Sequence, residues 1–194
     1  MKYGELPTYL GQHEIEVEEM FFYQYLPIKL AGVVEPVLEQ RLKPFEKLIG
    51  AALCDFVAVY GLERFHDSYV YLTAKHLFEK KGCPFNRKGY HSDGFLTDDI
   101  NYIWSNCKPT VFNYSNFKLS QDDSLSLLEM EQQADENKIE SYPNESLLRL
   151  NQFNIHRCAN IATEGMRCFV KISISKDKYD LKGNSINRLI DYNW

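Results

Sequence analysis

The chain lacks the features that mark several large classes of protein. No two of its five cysteines form a CxxC pair, which argues against a zinc ribbon or a thioredoxin-like redox motif. No stretch approaches the ~18 consecutive apolar residues of a membrane span, and the first residues lack the apolar core of a signal peptide. Scattered cysteines without a framework indicate reduced thiols. We therefore predict a cytoplasmic protein with no membrane partner.

An excess of positive charge is also missing. The net charge is −5 and the isoelectric point about 5.6, whereas proteins that bind duplex nucleic acid usually present a basic face. The composition therefore disfavours a long nucleic acid as a partner. The one dense basic stretch, Lys80–Lys88, is interpreted as a solvated loop, with contact to a nucleic acid or an anion as the alternative.

The size and the apolar pattern indicate one domain covering residues 1–194. A chain of 194 residues with 44% hydrophobic residues is long enough for a full core. Apolar residues at three- and four-residue steps from Glu35 to Tyr60 predict helical structure, divided at Pro44. Gly61 marks its end.

The rest of the chain reads mainly as short strands. Between Ser68 and Ser175, segments rich in β-branched and aromatic residues alternate with turns, and one helix is predicted within Ser120–Asn137. Gln152–Cys158 is among the predicted strands, and the tail Tyr179–Trp194 is predicted to pack back on the body. The pattern predicts an α+β fold dominated by a β-sandwich or jelly roll.

The tripeptide His91-Ser92-Asp93 carries the most information about function. Side chains two positions apart on a strand project from the same face, so His91 and Asp93 would point together. Gly94 follows and would let the backbone bend close to an ion. Such a short pattern also arises by chance, and it gains meaning only from the residues that follow it.

A second histidine, His156, lies in another strand-like stretch. Two imidazoles and one carboxylate can hold a divalent metal on three adjacent corners and leave the others open, which is typical of non-haem Fe(II) oxygenases. We predict a metal site of His91, Asp93 and His156. The other histidines, His13, His66 and His76, are interpreted as ordinary surface or core residues.

Arg167 follows the second histidine at the start of another predicted strand. A guanidinium is always charged and grips a carboxylate through two parallel hydrogen bonds. Beside the metal it would hold the far carboxylate of a dicarboxylate co-substrate. The alternative is an ordinary arginine in a surface salt bridge.

These residues together resemble the Fe(II)/2-oxoglutarate-dependent dioxygenase superfamily. The resemblance implies a double-stranded β-helix over about residues 68–175, buttressed by helices over about residues 33–61. It implies that His91, Asp93 and His156 bind iron and that Arg167 binds 2-oxoglutarate. Members often pair that arginine with a hydroxyl group. The position two residues after it holds Phe169 rather than serine, so the best candidate is Thr110, for which an ordinary strand residue is an equal alternative.

The activity that this resemblance implies is oxidation of a C–H bond with Fe(II), 2-oxoglutarate and O2, releasing succinate and CO2. Halogenating members have a small residue in place of the aspartate, so Asp93 favours hydroxylation or oxidative demethylation. A small-molecule substrate is expected first, and a protein side chain or a nucleotide next. The alternatives are a cupin-like metalloenzyme that does not use 2-oxoglutarate, which would not need Arg167, and a non-catalytic binding protein on the same scaffold.

Overall fold

Antiparallel β-sheets dominate the structure, a computed structural model that describes residues 2–192. The strands are β1 (Thr8–Gln12), β2 (Phe21–Lys29), β3 (Tyr69–Glu79), β4 (Ile100–Ser105), β5 (Val111–Asn113), β6 (Ile139–Ser141), β7 (Ser146–Leu150), β8 (His156–Arg157) and β9 (Gly165–Ser175). The few helices are α1 (Glu46–Tyr60), preceded by a 3-10 helix (Gln40–Phe45), α2 (Leu62–His66) and α3 (Asp123–Gln133). This mixed architecture is compatible with a β-sandwich.

The strands form two sheets. The larger sheet has six strands in the order β1-β7-β4-β9-β3-β2, and the smaller has three in the order β6-β5-β8. The longest pairing joins β3 to β9 without a break, from Tyr69 opposite Ser175 to Glu79 opposite Gly165. Both strands are rich in β-branched and aromatic residues, which fit a pleated, half-buried surface. The β3–β9 pair therefore forms the frame of the larger sheet.

The two faces of the larger sheet have different partners. Side chains alternate along a strand, and Val170, Ile172 and Ile174 of β9 are buried in a core that also contains Leu48 and Phe56 of α1. The intervening residues of β9 point the opposite way, toward the smaller sheet. One face of the sheet is thus covered by helix, and the other is free to form a site.

A smaller buried cluster joins the two sheets. Phe112 of β5 packs with Ile103 of β4, Leu148 of β7 and Phe169 of β9. Ile103 and Phe169 also line a cavity between the sheets. The aromatic contact holds the sheets together at one end of that cavity.

The predicted division of the helical segment at Pro44 is confirmed. Pro44 lies inside the 3-10 helix, and α1 begins two residues later at Glu46. The helical prediction began too early, since residues 35–39 are not helical. Gly61 ends α1 as predicted, with a backbone φ of +89° that glycine adopts without strain.

The helix predicted within Ser120–Asn137 is α3. It begins after Asp122, whose carboxylate accepts a hydrogen bond of 2.8 Å from the backbone N–H of Leu125. This is the standard way to satisfy a free donor in the first turn. The helix ends at Gln133, four residues before the predicted end.

The strand predicted over Gln152–Cys158 is mostly wrong. Only His156–Arg157 is paired. Before it, the side chain of Asn154 accepts a hydrogen bond from the backbone N–H of Asn151, and Asn151 accepts one from Phe153. Asparagine side chains compete with strand pairing in this way, so the chain turns first and then enters a very short strand.

The C-terminal segment packs back on β3, as predicted. The ring of Tyr179 stacks on that of Tyr71 with 4.3 Å between centroids. The last two residues of the predicted tail, Asn193 and Trp194, lie outside the described residues. Within residues 2–192, no helix has the length and apolar character needed to cross a membrane.

Candidate metal centre

The two predicted histidine ligands lie directly opposite each other. The backbone N–H of His91 donates to the carbonyl of His156 and the N–H of His156 donates to the carbonyl of His91, both at 2.9 Å. Residues paired in this way present their side chains on the same face. The two imidazole rings accordingly lie 4.5 Å apart between centroids.

Asp93 completes the group two residues after His91. One of its carboxylate oxygens lies 3.6 Å from Nε2 of His156. One ligand atom from each of the three residues lies within 4.8 Å of the other two. Ligands about 2.1 Å from a shared octahedral ion lie about 3 Å from one another, so the group needs only small adjustments to close around a metal ion.

Gly94 shapes the turn that follows Asp93. Its φ is +71°, and a Cβ atom there would lie 2.8 Å from Oγ1 of Thr97 and 3.0 Å from Cβ of Asp99. The N–H of Thr97 closes the turn on the carbonyl of Gly94 at 3.0 Å. A glycine is therefore needed here, as predicted, but the close approach is to this turn rather than to an ion.

Backbone carbonyls set the orientation of both imidazoles. Nδ1 of His91 lies 3.0 Å from the carbonyl oxygen of Gly89, and Nδ1 of His156 lies 3.0 Å from that of Asn154. A carbonyl oxygen can only accept a hydrogen bond, so each Nδ1 carries the proton. Each Nε2 is left with a lone pair for a metal, which is the usual arrangement around metal-binding histidines.

The local electrostatics favour the protonation states that a metal needs. Burial, together with the nearby imidazole of His156, lowers the pKa of His91 to about 4. Burial alone would raise the pKa of Asp93, but the ammonium of Lys171 holds it well below its usual range. The site therefore offers a neutral imidazole and an ionised carboxylate near neutral pH.

Lys171 of β9 is part of this site, although sequence reasoning did not identify it. Its ammonium lies 3.0 Å from Oδ1 of Asp93 and 3.2 Å from the hydroxyl of Tyr25. Burial lowers the pKa of Lys171, but Asp93 and Tyr25 outweigh that effect and raise it overall. Lys171 has even spacing from Arg167, which would place both on one face of a strand, and that spacing was the signal available in the sequence.

A bulge in β2 brings Tyr25 to the same place. Gln24 and Tyr25 together lie opposite Thr73, and Tyr25 has a φ of +47°, which is unusual for a residue with a side chain. Its N–H donates to Oγ1 of Thr73 at 3.1 Å. Bulges of this kind re-aim a side chain beside a site, and no pattern in the sequence indicates one here.

These side chains line a cavity of about 220 Å³ between the two sheets. Its walls include His91, Asp93, His156, Lys171, Tyr25 and Thr110. The structure thus places the predicted residue Thr110 on the cavity wall, where it is 6% exposed. Thr110 and the three predicted metal ligands are brought together.

Arg167 is not brought to the cavity wall. It is fully buried, with Nη1 3.4 Å from Oε1 of Glu79 and Nε donating to the carbonyl of Cys107 at 3.1 Å. The guanidinium lies over the rings of Phe85 and Phe169. Because Phe169 itself lines the cavity, Arg167 touches the wall from behind. This corrects the expectation that Arg167 stands beside the metal, and its role toward a dicarboxylate stays a prediction.

The basic loop and the aromatic residues of β4 contribute differently to the site. Asn86 and Arg87 of the basic loop line the cavity. Tyr102 and Trp104 are buried in the core that contains α1, on the opposite face of the larger sheet. The loop therefore contributes to the site, whereas these two aromatic residues serve packing.

His91, Asp93 and His156 form a group that could hold a metal ion. No family model matches the chain, and no curated protein sequence matches it either. The side-chain geometry at the cavity therefore has to carry the argument about function.

Proposed function

We propose that the protein is an Fe(II)- and 2-oxoglutarate-dependent oxygenase that hydroxylates, or oxidatively demethylates, a C–H bond of its substrate. The observation that carries the proposal is the group of His91, Asp93 and His156 on one wall of a cavity, with both Nε2 atoms free to bind. Two imidazoles and a carboxylate on adjacent corners suit ferrous iron and leave positions for other ligands.

The strand order supports a jelly-roll core for this chemistry. From β3 onward, the chain crosses several times between the sheets: β3, β4, β7 and β9 lie in the larger sheet, whereas β5, β6 and β8 lie in the smaller. The segment at His91 bridges to β8 and acts as a fourth strand of the smaller sheet. A jelly roll has eight strands in two sheets, and this order provides that number.

The residues around the metal group have separable tasks in the proposed reaction. His91, Asp93 and His156 would hold the metal, and the carbonyls of Gly89 and Asn154 orient the two imidazoles. When bound, iron with 2-oxoglutarate supplies the activation of O2 and the oxidation of a C–H bond, with release of succinate and CO2.

Lys171 and Thr110 are the groups on the cavity wall that suit a carboxylate of 2-oxoglutarate. An ammonium and a hydroxyl both donate hydrogen bonds to carboxylate oxygens. Lys171 now faces Asp93, and a bound cation at Asp93 would repel the ammonium and free it for another partner. Ile103 and Phe169 make the adjoining wall apolar and limit the entry of water.

A metalloenzyme that does not use 2-oxoglutarate is the second candidate. The position of Arg167 favours it, since this guanidinium is enclosed and already paired with Glu79. Such an enzyme would keep the three metal ligands and use the open positions for substrate.

The experiment that separates these candidates is release of succinate from 2-oxoglutarate by purified protein with Fe(II) and O2. The proposal expects succinate from the wild type and none from Asp93→Ala. His66→Ala is the matched control, because His66 is an exposed histidine that pairs with Asp67 and lies outside the cavity. Tight metal binding by the wild type without binding or turnover of 2-oxoglutarate would support the second candidate. Absence of metal binding in the wild type would reject both.

A further inference from the structure

The cavity carries more positive charge than its metal group explains. Three cationic side chains, Lys75, Arg87 and Lys171, line it together with a single carboxylate, that of Asp93. Lys171 lies 3.0 Å from that carboxylate. Lys75 and Arg87 are therefore left as cations without an acidic partner on the wall.

The absence of a partner extends beyond the cavity wall. Among residues 2–192, no carboxylate lies within 4.0 Å of the charged groups of Lys75 or Arg87. The ammonium of Lys75 has only long contacts, 3.5 Å to the carbonyl of Phe85 and 3.4 Å to the side-chain oxygen of Asn86. These neutral acceptors leave most of its charge unbalanced.

Lys75 is held in this position by its neighbours. It lies opposite Phe169 in the β3–β9 pair, which places it diagonally from Lys171, within reach of another long side chain. The rings of Phe22 and Phe85 lie 5.3 and 5.7 Å from its ammonium. Burial lowers the pKa of Lys75, and the charges of Lys171 and Arg167 lower it further. A confined cation beside other cations is costly unless an anion joins them.

The charge balance points to a second anion beyond any co-substrate. Three cationic side chains and one carboxylate give the wall a surplus of two positive charges, and a divalent metal would raise it to four. A dicarboxylate bound at the metal would return the surplus to two. Without a dicarboxylate the surplus is larger, so an anion is expected at the wall with either proposed function.

We propose that Lys75 and Arg87 form an anion-binding subsite at the outer end of the cavity, which binds a phosphate or carboxylate group of the substrate. Arg87 is exposed and Lys75 half-buried, whereas His156 and Lys171 lie deeper. The cavity of about 220 Å³ is smaller than the ~300–1,000 Å³ of common ligand sites. It suits a small acidic molecule, or the acidic end of a larger one, whose reacting carbon points inward. The subsite itself needs no metal. This assignment therefore rests on the proposed function only where it states that the bound molecule is oxidised.

The test measures anion binding by calorimetry on metal-depleted full-length protein, with inorganic pyrophosphate and malonate as probes. We expect saturable binding of one or both probes. Tighter binding of pyrophosphate would identify a phosphate group, and tighter binding of malonate a carboxylate. Lys75→Met and Arg87→Met should each raise Kd about tenfold, the usual loss for one charge-assisted hydrogen bond, and Lys75→Arg should restore much of the affinity.

Lys81→Met is the matched control, because Lys81 is an exposed cation of the same loop that does not line the cavity. Its Kd should stay within about twofold of the wild type, a small change for a distant charge at ordinary salt. Equal loss of affinity in Lys81→Met, or no loss in Lys75→Met, would overturn the subsite. Displacement of the probe by 2-oxoglutarate would also overturn it, by assigning Lys75 to the co-substrate. Metal binding, measured separately with His91→Ala, tests the proposed function on its own.

Discussion

Two cations on the same face of β9 have opposite surroundings. Lys171 faces the cavity, where its ammonium is shared between Asp93 and Tyr25. Arg167, four residues earlier, is sealed between Phe85 and Phe169 and paired with Glu79. Lys171 can exchange a partner for a ligand, whereas Arg167 can do so only if an aromatic ring moves. Position in the sequence favoured Arg167 as the residue that binds a dicarboxylate. The burial of the two side chains favours Lys171 for that role instead.

Buried polar atoms without a hydrogen-bond partner occur in the group around Arg167 and Glu79. Within the described part of the chain, Nη2 of Arg167, Oε2 of Glu79 and Nζ of Lys108 are buried without a hydrogen-bond partner. Lys108 lies 3.5 Å from Glu79 and completes an enclosed group of two cations and one acid. Buried ionic groups of this kind are sensitive to loss of one member, whereas Lys171 and Asp93 line the cavity, where a ligand can reach them.

The largest expected effect is on stability and comes from the enclosed group. Arg167→Met should lower the free energy of unfolding by about 3–5 kcal/mol, because it removes one of the two cations beside the buried carboxylate of Glu79, which keeps Lys108 and the N–H of Phe85. Lys171→Met should cost less, about 1 kcal/mol, because the side chain of Asp93 is 19% exposed at the cavity, whereas that of Glu79 is fully enclosed. Urea denaturation of both variants measures the difference. Equal losses of unfolding free energy in the two variants would mean that the surroundings of Arg167 and of Lys171 contribute equally to stability.

Metal addition should stabilise the protein only through the group at Asp93 and Lys171. Mn(II) at about 100 times its Kd should stabilise the wild type by about 2.7 kcal/mol, and it should have no effect on His156→Ala. Lys171→Met should gain at least as much as the wild type, because a competing cation near Asp93 has been removed. Denaturation curves with and without Mn(II) report the gain. Stabilisation of His156→Ala to the same extent would place the ion elsewhere.

The affinity for 2-oxoglutarate in variants of Lys171 and Arg167 shows which of these two cations binds the co-substrate. Lys171→Met should raise its Kd in the presence of Mn(II) about tenfold, a change of about 1.4 kcal/mol. Lys176→Met, which removes an exposed lysine paired with Asp98, serves as the control and should have no effect. Equilibrium dialysis with labelled 2-oxoglutarate gives each Kd. If Arg167→Met remains folded and weakens binding more than Lys171→Met does, the sequence-based assignment of Arg167 is correct.

The smallest effect concerns pH and the protonation of His91. Its pKa is about 4 in the folded protein and about 6.5 when unfolded, so the unfolded chain takes up a proton first as pH falls. The stability linked to His91 is complete above about pH 6.5 and declines from there toward pH 4. Between pH 7 and pH 5.5 the loss is about 1 kcal/mol. His91→Gln should show a correspondingly shallower decline in urea midpoint, and an unchanged slope would contradict the lowered pKa.

The sequence predicted the candidate metal group better than it predicted the residues around it. His91 and Asp93 share a face because of a two-residue spacing, and such periodicity can be read from sequence. His156 needed only a strand context, although most of the strand predicted around it is a turn. Local sequence patterns were sufficient to predict which side chains lie together wherever the backbone forms a regular strand.

The remaining residues depend on contacts that local patterns do not encode. Tyr25 reaches the cavity through a bulge, and Lys75 through the pairing of β3 with β9. Arg167 is turned away by Glu79, which is distant in sequence and opposes Gly165 across the same strand pair. Such placements follow from register and burial, which one sequence does not reveal.

The pairing of β3 with β9 also has a consequence for the order of folding. The two strands are separated by the 85 residues from 80 to 164, and they contribute Lys75 and Lys171 to one cavity. Pairings distant in sequence form slowly because a long loop must close first. The cavity is therefore expected to be complete only after the polypeptide has closed on itself. In a stopped-flow refolding experiment, capture of Mn(II) should coincide with the last phase, so that a newly made chain would bind an ion only after it has folded.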